Sequence, residues 1–413
     1  MFSIKLGLKN LTRQKRRNFI TILVIAFAFF IFLFIDSMMG GMEEMSFSNI
    51  KNFETGSIQA AYPEYWEERE ELPLKNLIDL NQDIEESIQN RDGILGVSPE
   101  LRFKANLNNG IDETEVIGLG IIPEKYNKVY STQEYVIAGS SLTSGESKAV
   151  IGKGLAELMD LKVNDYMTLL VRTKEETFNT IDLEIGGLVN TPDPLVNNTI
   201  VFIPLDIARK ALNVEDGVSM ITIKTDKGKE ITPIMDDINQ IFQKKNMTIK
   251  AYSWEESAKT VIAMSAAQDA ETAITLTVIL MIGMIGIINN VILSALERTR
   301  EIGMMKALGM REWEIVLVFM VEATGVGIIG GLAGCLLGAA GVGYMVKYGY
   351  SLNYIGGDMS VYGIPVMDKI YGVWNLSSFV FIFFFAIFLA LLSSMVPAYW
   401  AAHKDPVKAI YHR

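Results

Sequence analysis

The sixteen residues from Ala295 to Met310, ALERTREIGMMKALGM, are charged and helix-forming, yet one long apolar run ends directly before them and another begins directly after. Such a segment stays in water between two membrane crossings, and the rest of the chain has to be arranged around it. Four cations in or beside it, Arg298, Arg300, Lys306 and Arg311, place it on the cytoplasmic side, because basic residues in short connections resist translocation.

Runs long enough to cross roughly 30 Å of hydrocarbon begin at Phe19 (to Ile35), Ala273 (to Leu296), Ile315 (to Val346) and Leu376 (to Val396). The first follows Lys5, Lys9, Arg13, Lys15, Arg16 and Arg17 but is too long for a cleaved leader and lacks a small-x-small site, so it reads as an uncleaved signal anchor. The three segments expected inside hold 13 basic residues, whereas the loop between the last two runs holds only Lys347 and Lys369; both termini are therefore expected in the cytoplasm. Half of the 413 residues are hydrophobic and the mean hydropathy is +0.25, with a net charge of −11. A chain of this kind is part membrane bundle and part globular domain.

The expected division runs as follows: 1–17 a cytoplasmic amphipathic helix, 18–41 span one, 42–270 an extracytoplasmic α+β domain with a stalk, and 271–296 span two. A cytoplasmic segment at 297–312 follows, then 313–346 span three, 347–375 a short outer loop, 376–397 span four and 398–413 a cytoplasmic tail. Residues 43 to 270 carry 38 acidic against 22 basic side chains. That balance disfavours nucleic acid and anionic headgroups as direct ligands of the outer domain. The sole cysteine, Cys335, falls in span three, so no intrachain disulfide is available.

Within the outer domain, strand-like runs (Ala149–Ile151, Met167–Val171, Ile181–Ile185, Thr199–Ile203, Met220–Ile223) mix with helix-like ones (Leu74–Gln89, Gly154–Leu161, Leu205–Leu212, Ile231–Phe242). Asn190–Asn198, with Pro192 and Pro194, reads as a loop. Ser253 followed by Trp254, Glu255 and Glu256 reads as a capping box, and the proline-free stretch beyond it predicts one helix from Trp254 through span two to Leu296. Met38–Asn52 is expected to pair with it as a second stalk, although Gly40 and Gly41 weaken a helix there.

No chemistry-bearing constellation emerges. A GxxxxGK[ST] phosphate cradle is missing, and His403 and His412 read as solvated tail residues without metal-ligand spacing. Acidic pairs such as Glu67–Glu68 and Glu85–Glu86 read as solvated faces. In span three Gly330, Gly334 and Gly338 recur every four residues, with Gly327 and Gly331 as a second pair, which predicts close helix packing. Glu322 and Asp36 are expected to be paired or to reach the interface. In the charged segment, Glu297 with Arg300 and Arg298 with Glu301 stand at i,i+3, and Gly303 and Ala307 form a small-residue strip beside Met304 and Leu308. Such a strip fits a groove on a partner, or lies on the membrane as an amphipathic loop.

LKNLTRQKRRNFIT before span one, ALERTREIGMMKALGM between spans two and three, and VPAYWAAHKDPVKAI at the end resemble, in that order, the FtsX/MacB-type permeases of ABC transporters. AVIGKGLAELMDLKVNDYMTL and LVNTPDPLVNNTIVFIPLDIARKAL resemble their extracytoplasmic domain, except that Asn164 stands where a glycine is expected. The resemblance implies an α-helical membrane protein with four transmembrane helices and a large α+β, MacB-like periplasmic core domain inserted between the first two. It implies a non-catalytic subunit of a bacterial cytoplasmic (inner) membrane, without a cofactor of its own. ATP and Mg would be bound by a cytoplasmic ABC ATPase dimer. A second, homologous or identical permease subunit, membrane lipids, a lipoprotein substrate and a periplasmic carrier are the further partners implied.

Glu297, Arg298, Arg300, Glu301, Gly303, Met304, Lys306, Ala307 and Leu308 would then be the ATPase-coupling element. Size, layout and the lack of a fused ATPase favour the lipoprotein-releasing branch, which extracts lipoproteins toward the outer membrane. An exporter of amphiphilic drugs or peptides, and a mechanical regulator of a cell-wall hydrolase, are the alternatives. Phe27, Phe30, Phe34 and Met38 of span one, with Ile282 and Met284 of span two, are the candidate apolar lining of a substrate cavity.

Overall fold

The computed structural model describes residues 2–11, 13–79, 82–226, 228–351 and 369–403. The chain divides into a helical unit (residues 1–43, 264–351 and 369–413) and a sheet-containing unit (mainly 44–263).

In the helical unit, the helices containing the four expected spans are Lys15–Asn49, Lys259–Glu297, Glu312–Tyr348 and Leu376–Ala402. A short N-terminal helix, Phe2–Leu11, precedes them; the expected 1–17 helix thus stops early, and span one begins at Lys15. The N-terminal helix lies against span three, where a Cβ on Gly7 would come within 2.9 Å of Val321. The glycines of span three divide between two neighbours. Gly330, Gly334 and Gly338 meet Ile25, Phe29 and Leu33 of span one, while Gly327 and Gly331 meet Ala390 and Ala386 of span four. Lipid tails give helices no hydrophobic reason to associate, so this backbone proximity and its dispersion contacts hold the bundle.

Span one stays helical through Gly40 and Gly41. The reason is spatial: the strand-like segment before span four crosses there, and a Cβ on Gly41 would lie 1.9 Å from the Tyr371 carbonyl oxygen. Ser37 fastens the same segment through Ser37 Oγ to the Val373 carbonyl at 2.9 Å. Residues 352–368 of the expected outer loop lie outside the described residues; on either side of them Tyr350–Ser351 pairs antiparallel with Lys369–Ile370.

The second unit is built on a ten-stranded sheet. Its strands are β1 (Ile58–Ala61), β2 (Ile94–Asn108), β3 (Glu113–Ile121), β4 (Val136–Gly139) and β5 (Lys148–Gly152). They continue with β6 (Tyr166–Arg172), β7 (Phe178–Val189), β8 (Ile200–Pro204), β9 (Met220–Thr225) and β10 (Lys250–Ser253). The order is β10-β1-β9-β2-β3-β8-β5-β7-β4, with β6 pairing β2 and β7. Only β3–β8 and β5–β7 are parallel. Leu101, Phe103, Leu107, Ile151, Leu183 and Ile203 are among its buried side chains, each contributing about 1.5–3 kcal/mol by leaving water.

All five expected strands are present, and helix Leu205–Leu212 has the expected bounds, ending on Asn213 in the left-handed conformation. Three expectations need correction. Leu74–Gln89 is not one helix: Ile78–Asp79 pairs with Gly217–Val218, and only Gln82–Gln89 is helical. The Asn190–Asn198 loop contains a short helix, Pro194–Thr199, with Asp193 accepting from the Leu195 and Val196 amides. The helix begun at Trp254 is interrupted at Ala258 and resumes at Lys259; Ser253 Oγ does accept from the Glu256 amide, at 3.4 Å. Asn164 takes φ +72°, a conformation asparagine tolerates better than most residues, so the turn keeps its form without glycine.

Candidate functional site

Span two ends at Glu297, and the chain turns at Arg298 into a nine-residue connector helix, Thr299–Ala307. Thr299 Oγ1 donates to the Leu296 carbonyl at 2.8 Å, closing the last turn of the span. The connector stops at Gly309, whose φ of +88° reverses the chain with no side chain in the way. Span three then starts with the Glu314 carboxylate accepting from the Arg311 amide at 2.8 Å.

The charges of this segment are not used at i,i+3 as expected. Glu297 accepts from Arg17 (2.9 Å) and Gln14 (2.7 Å), and Glu301 pairs with Arg13 (2.7 Å). Arg298 turns inward to Glu322 of span three at 3.0 Å, with side chains 6% and 7% exposed. Helical i,i+3 pairs on a wet surface are worth only tenths of a kcal/mol, so partners on neighbouring elements prevail. Below the connector, Asn290 Nδ2 donates to Asn18 Oδ1 at 3.3 Å. His403, expected to be solvated, contacts Glu312 at 3.1 Å, and Lys306 reaches the same carboxylate at 3.2 Å. His412 lies outside the described residues.

These anchors decide which face is free. Ile302 and Gly303 are buried with Arg298, whereas Arg300, Met304, Ala307 and Leu308 are exposed, Leu308 by 86%. Of the expected strip, Gly303 therefore serves packing within the unit and Ala307 the surface.

Two cavities open in the helical unit. One, of about 540 Å³, lies between the N-terminal helix, the connector and span three, with Leu6, Arg13, Arg298, Met305 and Phe319 among its lining. The other, of about 570 Å³, is apolar and lies between spans two and four, bounded by Met284, Ile288, Val396 and Trp400. The residues expected to line one substrate cavity are divided: Met284 faces this second cavity and Ile282 is 56% exposed. Phe27, Phe30 and Phe34 form a ladder along span one, successive ring centroids 6.0 Å apart, with Phe30 packed on Gly341; Met38 is half-buried.

The sheet unit holds a polar cluster that sequence reading missed. Glu100 is fully buried and pairs with Arg102 at 2.8 Å; Arg102 Nη2 also donates to the Glu54 carbonyl at 2.7 Å, and Tyr130 Oη to the same oxygen at 3.2 Å. Glu54 is the last residue but one of the π-type turn Ile50–Thr55 that follows the Lys15–Asn49 helix, so a cation and a hydroxyl reach a free carbonyl at that helical end. The Glu54 carboxyl is an electrostatic neighbour of Asp193, whose Oδ1 accepts from the Leu195 and Val196 amides. Burial, then the charge of Asp193, pushes Glu54 up to about 9; burial raises Asp193 as well, opposed by the amides of Val196 and Leu195. Glu54 therefore keeps its proton at neutral pH. A legible clue was present: Asp193 directly before Pro194 is an N-cap followed by proline at N1.

A family model described as the MacB-like periplasmic core domain matches residues 18–241, and one described as FtsX-like permease C-terminal matches residues 273–406. The chain is 26% identical over 296 residues to an uncharacterized ABC transporter permease of Methanocaldococcus jannaschii, covering 70% of this chain and 69% of that one. It is 21% identical over 332 residues to the lipoprotein-releasing system transmembrane protein LolC of Neisseria meningitidis (78% and 79% covered). Against the macrolide export ATP-binding/permease protein MacB of Vibrio parahaemolyticus it is 21% identical over 425 residues, covering 99% of this chain but 59% of that longer one. The chain belongs to the FtsX/MacB family of ABC transporter permeases, which work with cytoplasmic ATPase subunits.

Proposed function

We propose that this permease converts closure of a separate, cytoplasmic ATPase dimer, which binds ATP and Mg, into movement of its outer domain, and that the cargo is a lipoprotein drawn out of the cytoplasmic membrane. The observation that carries the reading is the connector helix, anchored inward by Arg298–Glu322 and presenting Arg300, Met304, Ala307 and Leu308 outward. A rigidly held helix with an apolar exposed ridge gives a partner both a contact and a lever. The lipoprotein choice is supported by the LolC relative, which is matched over most of both chains.

Co-purification recovers the ATPase with the wild type and loses it with Leu308→Arg or Ala307→Arg; full retention by both variants removes the coupling role. Reconstituted vesicles release a lipoprotein to a soluble acceptor when ATP is supplied. Labelling introduced cysteines from either side tests topology: connector and both termini react from the cytoplasmic side and the sheet unit from the other.

A second reading, export of an amphiphilic small molecule, is favoured by the 570 Å³ apolar cavity between spans two and four. ATP-dependent loss of such a compound from vesicles, with lipoprotein retained, selects it.

A further inference from the structure

We propose that the 540 Å³ cavity between the N-terminal helix, the connector and span three is a binding site for one anionic phospholipid of the inner leaflet, its phosphate on Arg298 and Arg13 and a chain along the apolar wall. The idea does not need the ATPase reading, only that this end of the bundle lie at a membrane surface, although Met304 and Leu308 border this cavity as well as the exposed ridge.

Arg298 lines the cavity, is 6% exposed, and commits only Nη1 to Glu322; its Nη2 has no partner. A buried guanidinium with an unused nitrogen is costly unless something outside the chain completes it. Beside it Arg13 offers a second guanidinium, shared with Glu301, and guanidinium forks match phosphate oxygens. Asn10 and Glu301, the latter paired with Arg13, are the other polar groups of the lining, and the rest of the wall, Leu6, Met305 and Phe319 among it, is apolar, so the occupant suited to it is anionic at one end and hydrocarbon at the other. Charge selects its source. The N-terminal helix and the start of span one carry Lys5, Lys9, Arg13, Lys15, Arg16 and Arg17 without an acidic residue, which concentrates anionic lipid at that surface.

The test uses the full chain, purified in mild detergent, stripped of lipid and titrated with palmitoyl-oleoyl phosphatidylglycerol or with phosphatidylcholine of the same chains; bound lipid is counted by native mass spectrometry. One phosphatidylglycerol per chain is expected, held at least about fivefold more tightly than the choline lipid. Arg13→Gln, and separately the pair Arg298→Gln with Glu322→Gln, which leaves no lone buried charge, each weaken it by about fivefold. Met305→Trp fills the cavity without altering charge and abolishes the one-to-one complex, keeping the test decisive if the charge variants do not fold. Lys5→Gln and Arg16→Gln, exposed and outside the cavity, act only through diffuse attraction and weaken binding by less than about twofold. Equal weakening by Lys5→Gln and Arg13→Gln would reduce the effect to diffuse attraction and overturn the site. Equal affinity for the two lipids, or no saturable binding because the groove takes only a protein segment, would overturn it too.

Discussion

Each unit buries a carboxylate against an arginine, Glu100 with Arg102 at 2.8 Å in the sheet unit and Glu322 with Arg298 at 3.0 Å in the helical one, and the two pairs are finished differently. Arg102 uses Nε and Nη2 on Glu100 and also grips the Glu54 carbonyl, tying a central strand to the end of a long helix. Arg298 gives one nitrogen to Glu322 and leaves another unused. Neither pair is complete: the first leaves an acceptor unused, Glu100 Oε1, and the second a donor, Arg298 Nη2, and an unused donor can take a further anionic or carbonyl group. The difference lies in the guanidinium: Arg102 is held by two groups, Glu100 and the Glu54 carbonyl, whereas Arg298 is held by Glu322 alone among the described residues and keeps Nη2 for another group.

The sharpest challenge to this contrast is Arg102→Ala. It strands a fully buried carboxylate and releases a helix end, for an expected loss of about 3–5 kcal/mol, seen as earlier thermal unfolding of the full chain and faster proteolysis within residues 44–263. Arg298→Ala is expected to cost less, about 1–3 kcal/mol, because Arg17 also acts on Glu322. The doubly neutral Arg298→Gln/Glu322→Gln should fall within about 1 kcal/mol of wild type. If the order of the two alanine variants is reversed, the contrast is wrong.

The pH dependence sharpens the same point. Glu54 lies in the outer unit, beyond the expected end of span one, and its folded-state pKa of about 9 stands above the ordinary 4.5. The folded protein therefore keeps a proton that the unfolded chain has released. That contribution is complete below about pH 4.5 and is lost as pH rises toward about 9. Melting temperature should fall across this window, and Glu54→Gln, permanently neutral, should flatten the fall; an unchanged slope removes the raised Glu54 as its cause. The smallest effect is expected at the exposed Leu308, where Arg should change stability by no more than about 0.5 kcal/mol while ATPase association disappears.

Much of the helical unit could be read in advance, because span length and glycine spacing are local patterns. The partners of the connector charges could not: Gln14 and Glu297 are 283 positions apart, and no periodicity connects them. In the sheet unit, β2 escaped notice because Ser98, Pro99 and Glu100 interrupt it, yet all three are buried. Proline in a central strand runs against ordinary expectation, and a strand covered on both faces loses its alternation. The pair Glu100–Arg102 was hidden in the same place. By contrast, Leu205–Leu212 was legible to the residue because its buried positions, Leu205, Ala208 and Leu212, keep helical spacing.

Span three meets its neighbours with glycine on two sides, and glycine has no rotamers to lose. Along the side shared with span one, the ordering entropy of the glycine contacts falls on Ile25, Phe29, Phe30 and Leu33. Ile25, branched at Cβ, is already restricted before the helices meet. The grip at those glycines therefore depends on the stiffness of side chains on one helix, and a softer residue such as methionine at position 33 would loosen it while leaving a side chain of similar size in contact.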